Sequence, residues 1–135
     1  MVPLVLLSMA ALISVFFGIR YFMAKAFMPY HAVVAGQSWS DLEPGVRTII
    51  LGMLRIIGGG FATYGLALLW LLIPLHAKEP WARWAVLTLS ATSILTALYV
   101  TISLRRVAPH ARTPVLPAAV VLALSTAGVA ISFFA

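Results

Sequence analysis

The sequence predicts an all-α integral membrane protein, a bundle of four transmembrane helices with a short interfacial segment between helices 1 and 2. Apolar residues make up 63% of its 135 residues, whereas soluble domains contain roughly 45–50%. Charged residues make up only 9%, which is too few to cover a water-exposed surface of this size. Four stretches approach the ~20 apolar residues that a helix needs to cross the hydrocarbon layer. These observations exclude a soluble enzyme, a disordered chain and a soluble nucleic-acid-binding domain.

We expect one domain over residues 1–135, with helices at approximately 2–27, 41–75, 81–104 and 114–134. A proline lies near or upstream of the start of each helix, namely Pro3, Pro44, Pro80 and Pro114. Proline in the first turn costs no hydrogen bond, because that position has no partner within the helix. Thr113 predicts a cap for the fourth helix, and Ser40 with Glu43 predicts one for the second.

The segment between the first two helices is the only long loop of the predicted topology. Arg20 and Lys25 follow the first apolar stretch, whereas a cleaved signal peptide carries its positive charge before that stretch. We therefore expect the first helix to be retained. Pro29 predicts its end, and residues 30–35 are expected to form a short helical turn closed by Gly36. The apolar and aromatic composition of this turn favours the headgroup layer.

The basic residues predict the orientation of the chain. Two loops on one side contain Arg20, Lys25, Arg47, Arg105, Arg106 and Arg112. The other side has only Lys78 and Arg83, and Arg55 lies at or inside the membrane boundary. The positive-inside rule therefore predicts a bacterial inner-membrane protein with both termini outside. The same loops supply candidate binding residues for anionic lipid headgroups, namely Arg20, Arg47, Arg105, Arg106 and Arg112.

A candidate ligand site is expected between the second and third helices. Its predicted residues are Arg55, Gly58, Gly59, Thr88, Thr92 and Thr96. An unpaired arginine inside the bilayer is costly, so Arg55 needs a partner or ligand unless it lies at the interface. The glycines permit close approach of a helix or a bound molecule, and Gly59→Leu is expected to disrupt folding, assembly or ligand retention. The threonines share one helix face, which suits either a packing stripe or a weakly polar pocket wall.

Cofactor chemistry is not expected from this composition. The chain has no cysteine, which excludes thiolate metal sites and thiol redox reactions. None of the three histidines is predicted at mid-span, so a haem held between helix histidines is not expected either. The sequence therefore predicts no cofactor and no metal.

The leading expectation for function is binding without catalysis, with a lipid, a hydrophobic small molecule or a partner membrane subunit as the ligand. The first alternative is a small oligomeric transporter or channel for an anionic or neutral solute. The second is an interfacial lipid-modifying enzyme that uses His31 and Asp41. Membrane lipids are the expected partners, with another copy of the chain or a larger membrane complex as further possibilities. A nucleic-acid partner is not expected.

Overall fold

The computed structural model describes residues 1–134 and shows a bundle of four long helices. The helices are α1 (Val2–Phe22), α2 (Pro29–Ala35), α3 (Pro44–His76), α4 (Pro80–Val107) and α5 (Val115–Ser132), with a 3-10 turn at Trp39–Asp41. All except α2 are long and apolar enough to cross a membrane. No strand is present among these 134 residues. The predicted fold class, an all-α multi-pass membrane protein, is confirmed.

The helix ends differ from the predicted ones by up to five residues. The first helix ends at Phe22 rather than near residue 27, because the chain turns at Met23 and its next N–H bonds three residues back, from Ala24 to the Tyr21 carbonyl. Met28 is then extended, as the residue before a proline prefers. At the other boundaries, α3 begins at residue 44 rather than 41, α4 continues to 107 rather than 104, and α5 spans 115–132 rather than 114–134.

The predicted caps take different forms in the structure. Glu43 occupies the N-cap position of α3 but makes no side-chain cap bond. Instead, Asp41 accepts hydrogen bonds from the N–H and hydroxyl of Ser38, at 3.1 and 2.7 Å, and closes the 3-10 turn before the helix. Thr113 does not cap α5, whose N-cap residue is Pro114, and its hydroxyl is buried without a hydrogen-bond partner. Local turn geometry therefore decided both helix starts.

The helix arrangement is set mainly by α1, which packs most extensively on α3 and then on α5. Next, α4 packs on α5, whereas α3 and α4 contact each other less although they are consecutive in the chain. The main core is formed by apolar side chains from the four long helices, among them Leu7, Leu68, Val86 and Val129. A smaller core at the C-terminal end of α1 contains Tyr21, Met28 and Leu54.

The closest helix contact joins α1 and α3 through glycines. A Cβ atom at Gly58 would lie 2.5 Å from the Phe22 nitrogen and 2.6 Å from the Gly18 carbonyl oxygen. A Cβ atom at Gly18 would lie 2.6 Å from the nitrogen of Ala62. Small residues permit such backbone contact in membranes, where close packing replaces the hydrophobic effect between helices. Gly58 is therefore a packing residue within the chain, whereas a Cβ at Gly59 would meet no atom within 4 Å.

Candidate functional site

An apolar cavity of about 260 Å³ lies between the helices, in the half of the bundle that contains the C-terminal end of α1, and it opens partly to the outer surface. All four long helices contribute to its walls, and Tyr30 and His31 of α2 line one end. The walls are mainly apolar, with Phe17, Phe61 and Val121 among the side chains that form them. We call this space the apolar cavity.

The hydroxyl groups at the wall of the apolar cavity bond mostly to the protein itself. Ser14 donates to the Ala10 carbonyl at 2.8 Å, and Thr101 donates to the Ala97 carbonyl at 2.9 Å. Such bonds to the preceding helical turn satisfy a hydroxyl in a membrane interior. Because these donors are engaged, the wall presents carbon atoms to an occupant.

A buried hydrogen-bonded cluster lies at the side of the apolar cavity formed by α3. The Tyr64 hydroxyl lies 3.1 Å from Ser90 Oγ and 3.0 Å from Ser125 Oγ, and so joins α3, α4 and α5. All three residues are buried, and Ser125 has no exposed surface. We did not single out this cluster from the sequence. Its only sequence signal is that each member is a polar residue near the middle of an apolar stretch.

A pair of tyrosines lines the apolar cavity at the end formed by α2. The hydroxyls of Tyr21 and Tyr30 lie 2.6 Å apart and share a hydrogen bond. Burial raises the pKa of Tyr30, so its hydroxyl stays protonated. The Tyr30 ring packs edge-on against His31, with ring centroids 4.2 Å apart. The contacts among Tyr21, Tyr30 and His31 hold α2 against the end of α1.

His31 holds the first turn of α2 as a neutral hydrogen-bond acceptor. Its Nδ1 accepts the backbone N–H of Met28 at 3.1 Å. Burial lowers the pKa of the imidazole below its ordinary value, so the ring is neutral at pH 7 and its proton lies on Nε2. Protonation of Nδ1 would remove this bond.

We therefore expect α2 to loosen in acid. The pKa of His31 is lower in the folded segment than in the released one, so the released segment binds more protons as the pH falls. The contribution of His31 to the stability of α2 is fully present above about pH 6.5. It is lost as the pH falls through the lowered pKa of the imidazole. Amide hydrogen exchange in α2, corrected for the intrinsic pH effect, should accelerate between pH 7.5 and 5. His31→Gln should remove this dependence and His110→Gln should retain it. Equal pH dependence in both variants would contradict the prediction.

A second and more open cavity, of about 550 Å³, is also lined by the tyrosine pair. It is bordered by α1, α2 and the loop between α4 and α5, and its wall includes Arg20, His110 and Arg112. Phe17, Tyr21, Tyr30 and Pro114 line both cavities. We call this space the basic cavity. The apolar and basic cavities therefore meet at shared residues.

The predicted ligand residues on α3 and α4 do not come together. Thr88, Thr92 and Thr96 are all exposed on one face of α4, and only Thr96 also lines the apolar cavity. Thr92 donates to the Thr88 carbonyl at 2.8 Å, and Thr96 donates to the Thr92 carbonyl at 2.7 Å. These bonds satisfy the hydroxyls on the outer surface, whereas the buried face of α4 contains Ala82, Val86, Ser90, Ile94 and Thr101.

Arg55 is exposed on α3 and does not line either cavity. Gly58, one turn further along α3, already contacts Phe22 in the last turn of α1. Because three residues of helix span about 4.5 Å, Arg55 lies close to or beyond the level at which α1 ends. This position supports the interfacial alternative for Arg55, in which its long side chain reaches the headgroups.

The five arginines predicted to bind headgroups fall into three groups. Arg20 and Arg112 line the basic cavity. Arg47 donates from Nε to the Leu42 carbonyl at 2.7 Å and from Nη2 to the Ser40 carbonyl at 2.9 Å, so it holds the loop before α3. Arg105 and Arg106 are exposed in the last turn of α4 and line neither cavity.

Comparison of the chain with known protein families, curated proteins and solved structures gives no match. Among residues 1–134, no group of three or more His, Asp or Glu side chains is placed to hold a metal ion. The two cavities are therefore the features of this chain that bear on its function.

Proposed function

We propose that this multi-pass membrane protein binds a hydrophobic molecule in the apolar cavity. The observation that supports the proposal is a partly open space of about 260 Å³ between the helices, whose walls are mainly carbon atoms. No Asp, Glu, Lys or Arg is among the described residues that line it. An apolar occupant gives up no hydrogen bonds to water on entry, whereas an ion would have to shed its water without compensation.

The size of the apolar cavity favours a single ring system or part of an alkyl chain. An engineered apolar cavity of ~150 Å³ is large enough to bind benzene, whereas pockets for drug-sized ligands begin at ~300 Å³. The apolar cavity falls between these values, so it suits a lipid chain segment better than a complete lipid.

The alternatives from the sequence have less support in the geometry. A path for an anionic solute would need cationic groups along the interior, and the apolar cavity has none among its described lining residues. For an enzyme, Asp41 is a poor proton acceptor, because hydrogen bonds from Ser38 lower the pKa of its carboxyl group. His31 already uses Nδ1 to accept the Met28 N–H. Neither residue is arranged as a general base.

Filling the apolar cavity tests the proposed function. Ala118 lines the cavity, whereas the neighbouring Ala119 is exposed on the same helix. We expect a neutral alkyl diazirine to photolabel the buried walls of the cavity in the purified protein, at Ile94 and Val121. Ala118→Phe should reduce this labelling about tenfold or more, and Ala119→Phe should leave it unchanged.

Circular dichroism identifies variants that fail to fold, and Ala118→Leu provides a smaller filling residue in that case. Absence of labelling at the cavity wall in the wild-type protein would refute the proposed function. Equal labelling of the two phenylalanine variants would refute it as well.

We also propose that both termini lie outside the cytoplasm of a bacterial inner membrane. Six basic residues at the end containing the C-terminus of α1, against two at the other end, support this orientation. Because the chain has no cysteine, Phe134→Cys creates a single reporter. A membrane-impermeant maleimide should label it in intact spheroplasts, and labelling only after lysis would reverse the orientation.

A further inference from the structure

We infer that the apolar and basic cavities together bind an amphiphile with a phosphate-bearing anionic headgroup. The headgroup would lie against Arg20 and Arg112, and the attached chain would extend past the tyrosine pair into the apolar cavity. This inference rests on the proposed function and adds the chemical class of the ligand.

The basic cavity has the charge that an anionic headgroup requires. Arg20 comes from the last turn of α1 and Arg112 from the loop between α4 and α5, and His110 also lines the space. None of the three acidic residues of the chain lines it. Arginine presents several N–H donors in a plane and binds phosphate oxygens in pairs. Two arginines from separate segments therefore form a cationic site without a carboxylate to neutralise it.

The join between the cavities matches the boundary between the head and the chain of an amphiphile. Phe17 and Pro114 supply apolar surface to both cavities. The hydrogen-bonded hydroxyls of Tyr21 and Tyr30 lie at this junction. Amphipathic tyrosines are typical of the membrane interface, where one end of the ring is apolar and the other polar. A ligand that passes this pair meets cationic groups on one side and carbon on the other.

The topology rule does not account for this placement. Arg105 and Arg106 lie at the same end of the bundle and contribute to the same charge bias, but neither lines a cavity. Arg47 uses its guanidinium to hold two loop carbonyls. Membrane orientation requires basic residues at this end of the bundle, but it does not require two of them to lie beside the tyrosine pair, as Arg20 and Arg112 do.

A paired-charge experiment tests the inference. Native mass spectrometry measures binding of phosphatidylglycerol and phosphatidylcholine to the full-length protein in a neutral detergent. Arg20→Gln with Arg112→Gln should weaken phosphatidylglycerol binding about tenfold, since each of the two exposed charge contacts contributes about threefold. The control, Arg105→Gln with Arg106→Gln, removes the same charge from the same end and should change binding less than twofold. Phosphatidylcholine binding should be similar in both variants.

The outcomes separate the ligand class from the proposed function. If phosphatidylglycerol binding is weakened equally in the two double variants, the inference is overturned. Alkyl diazirine labelling of the same preparations then tests the apolar cavity independently. Inorganic phosphate in millimolar excess should displace little phosphatidylglycerol, because the chain supplies part of the affinity. Binding of inorganic phosphate without binding of the lipid overturns the amphiphile and assigns the site to free phosphate. If the wild-type protein shows neither diazirine labelling of the cavity nor binding of phosphatidylglycerol, both proposals are overturned.

Discussion

Gly58→Leu should prevent the bundle from folding, whereas Gly59→Leu should be tolerated within a single chain. Even the first side-chain atom, a Cβ at Gly58, would lie 2.5 Å from a backbone nitrogen of α1. Backbone atoms cannot move aside as a flexible side chain can. Gly58→Ala is expected to lower the free energy of unfolding by about 1–3 kcal/mol, the usual cost of overpacking. At Gly59 a Cβ meets nothing within 4 Å, and Gly59→Ala gains helix propensity, up to ~1 kcal/mol.

Unfolding in mixed micelles of sodium dodecyl sulfate, followed by circular dichroism, measures these differences. The four variants should rank with the two Gly58 variants least stable. Light scattering of the same samples reports on assembly, because the sequence alone predicts that Gly59→Leu is disruptive. A folded Gly59→Leu protein of altered oligomeric size would assign Gly59 to contact between copies. A Gly58→Leu protein as stable as wild type would contradict the glycine contact between α1 and α3.

Tyr64→Ala should cost about 3 kcal/mol or more, because it opens a large void and leaves two buried serine hydroxyls without their shared partner. Tyr64 is 3% exposed and bonds to Ser90 and Ser125. Tyr64→Phe keeps the ring and removes only the hydroxyl. It removes two hydrogen bonds and should cost about 1.2 kcal/mol, since each such bond between membrane helices contributes ~0.6 kcal/mol. Mixed-micelle unfolding again provides the measurement.

Tyr99 is the matched control for this comparison. It is also a tyrosine within a long helix, but it is 73% exposed. Tyr99→Ala should therefore change the free energy of unfolding by less than ~0.5 kcal/mol. Similar losses for Tyr64→Ala and Tyr99→Ala would show that the Tyr64 cluster does not hold the three helices together.

The fold class was predictable because the spans depend on local composition. A helix of about 20 apolar residues satisfies its own backbone hydrogen bonds in lipid, whatever its neighbours are. The ends of the helices were harder to predict, since the turn after Phe22 and the start at Pro44 depend on loop contacts. Arg47 makes one such contact, because it donates hydrogen bonds to two carbonyls of the loop before α3. No spacing of residues in the sequence predicts these bonds.

The candidate site was only partly predictable. Arg20 and Arg112 were identified as headgroup residues, but with three other arginines from which the sequence could not separate them. On α4, the regular spacing of Thr88, Thr92 and Thr96 favoured an inner face, yet all three are exposed. Their hydroxyls are satisfied within the helix, so a threonine costs little on a lipid-facing surface. Ser90, with no such spacing, faces the buried cluster instead.

The sequence by itself determined that this protein resides in a membrane, how many times it crosses, and which end is most positively charged. These properties follow from the hydrocarbon, which acts on each segment separately. Only the tertiary structure decided which glycine meets α1, which hydroxyls meet Tyr64, and which arginines border a cavity. The physical reason is that lipid and protein interior are both apolar, so hydrophobic periodicity does not distinguish the buried face of a helix from the outer one.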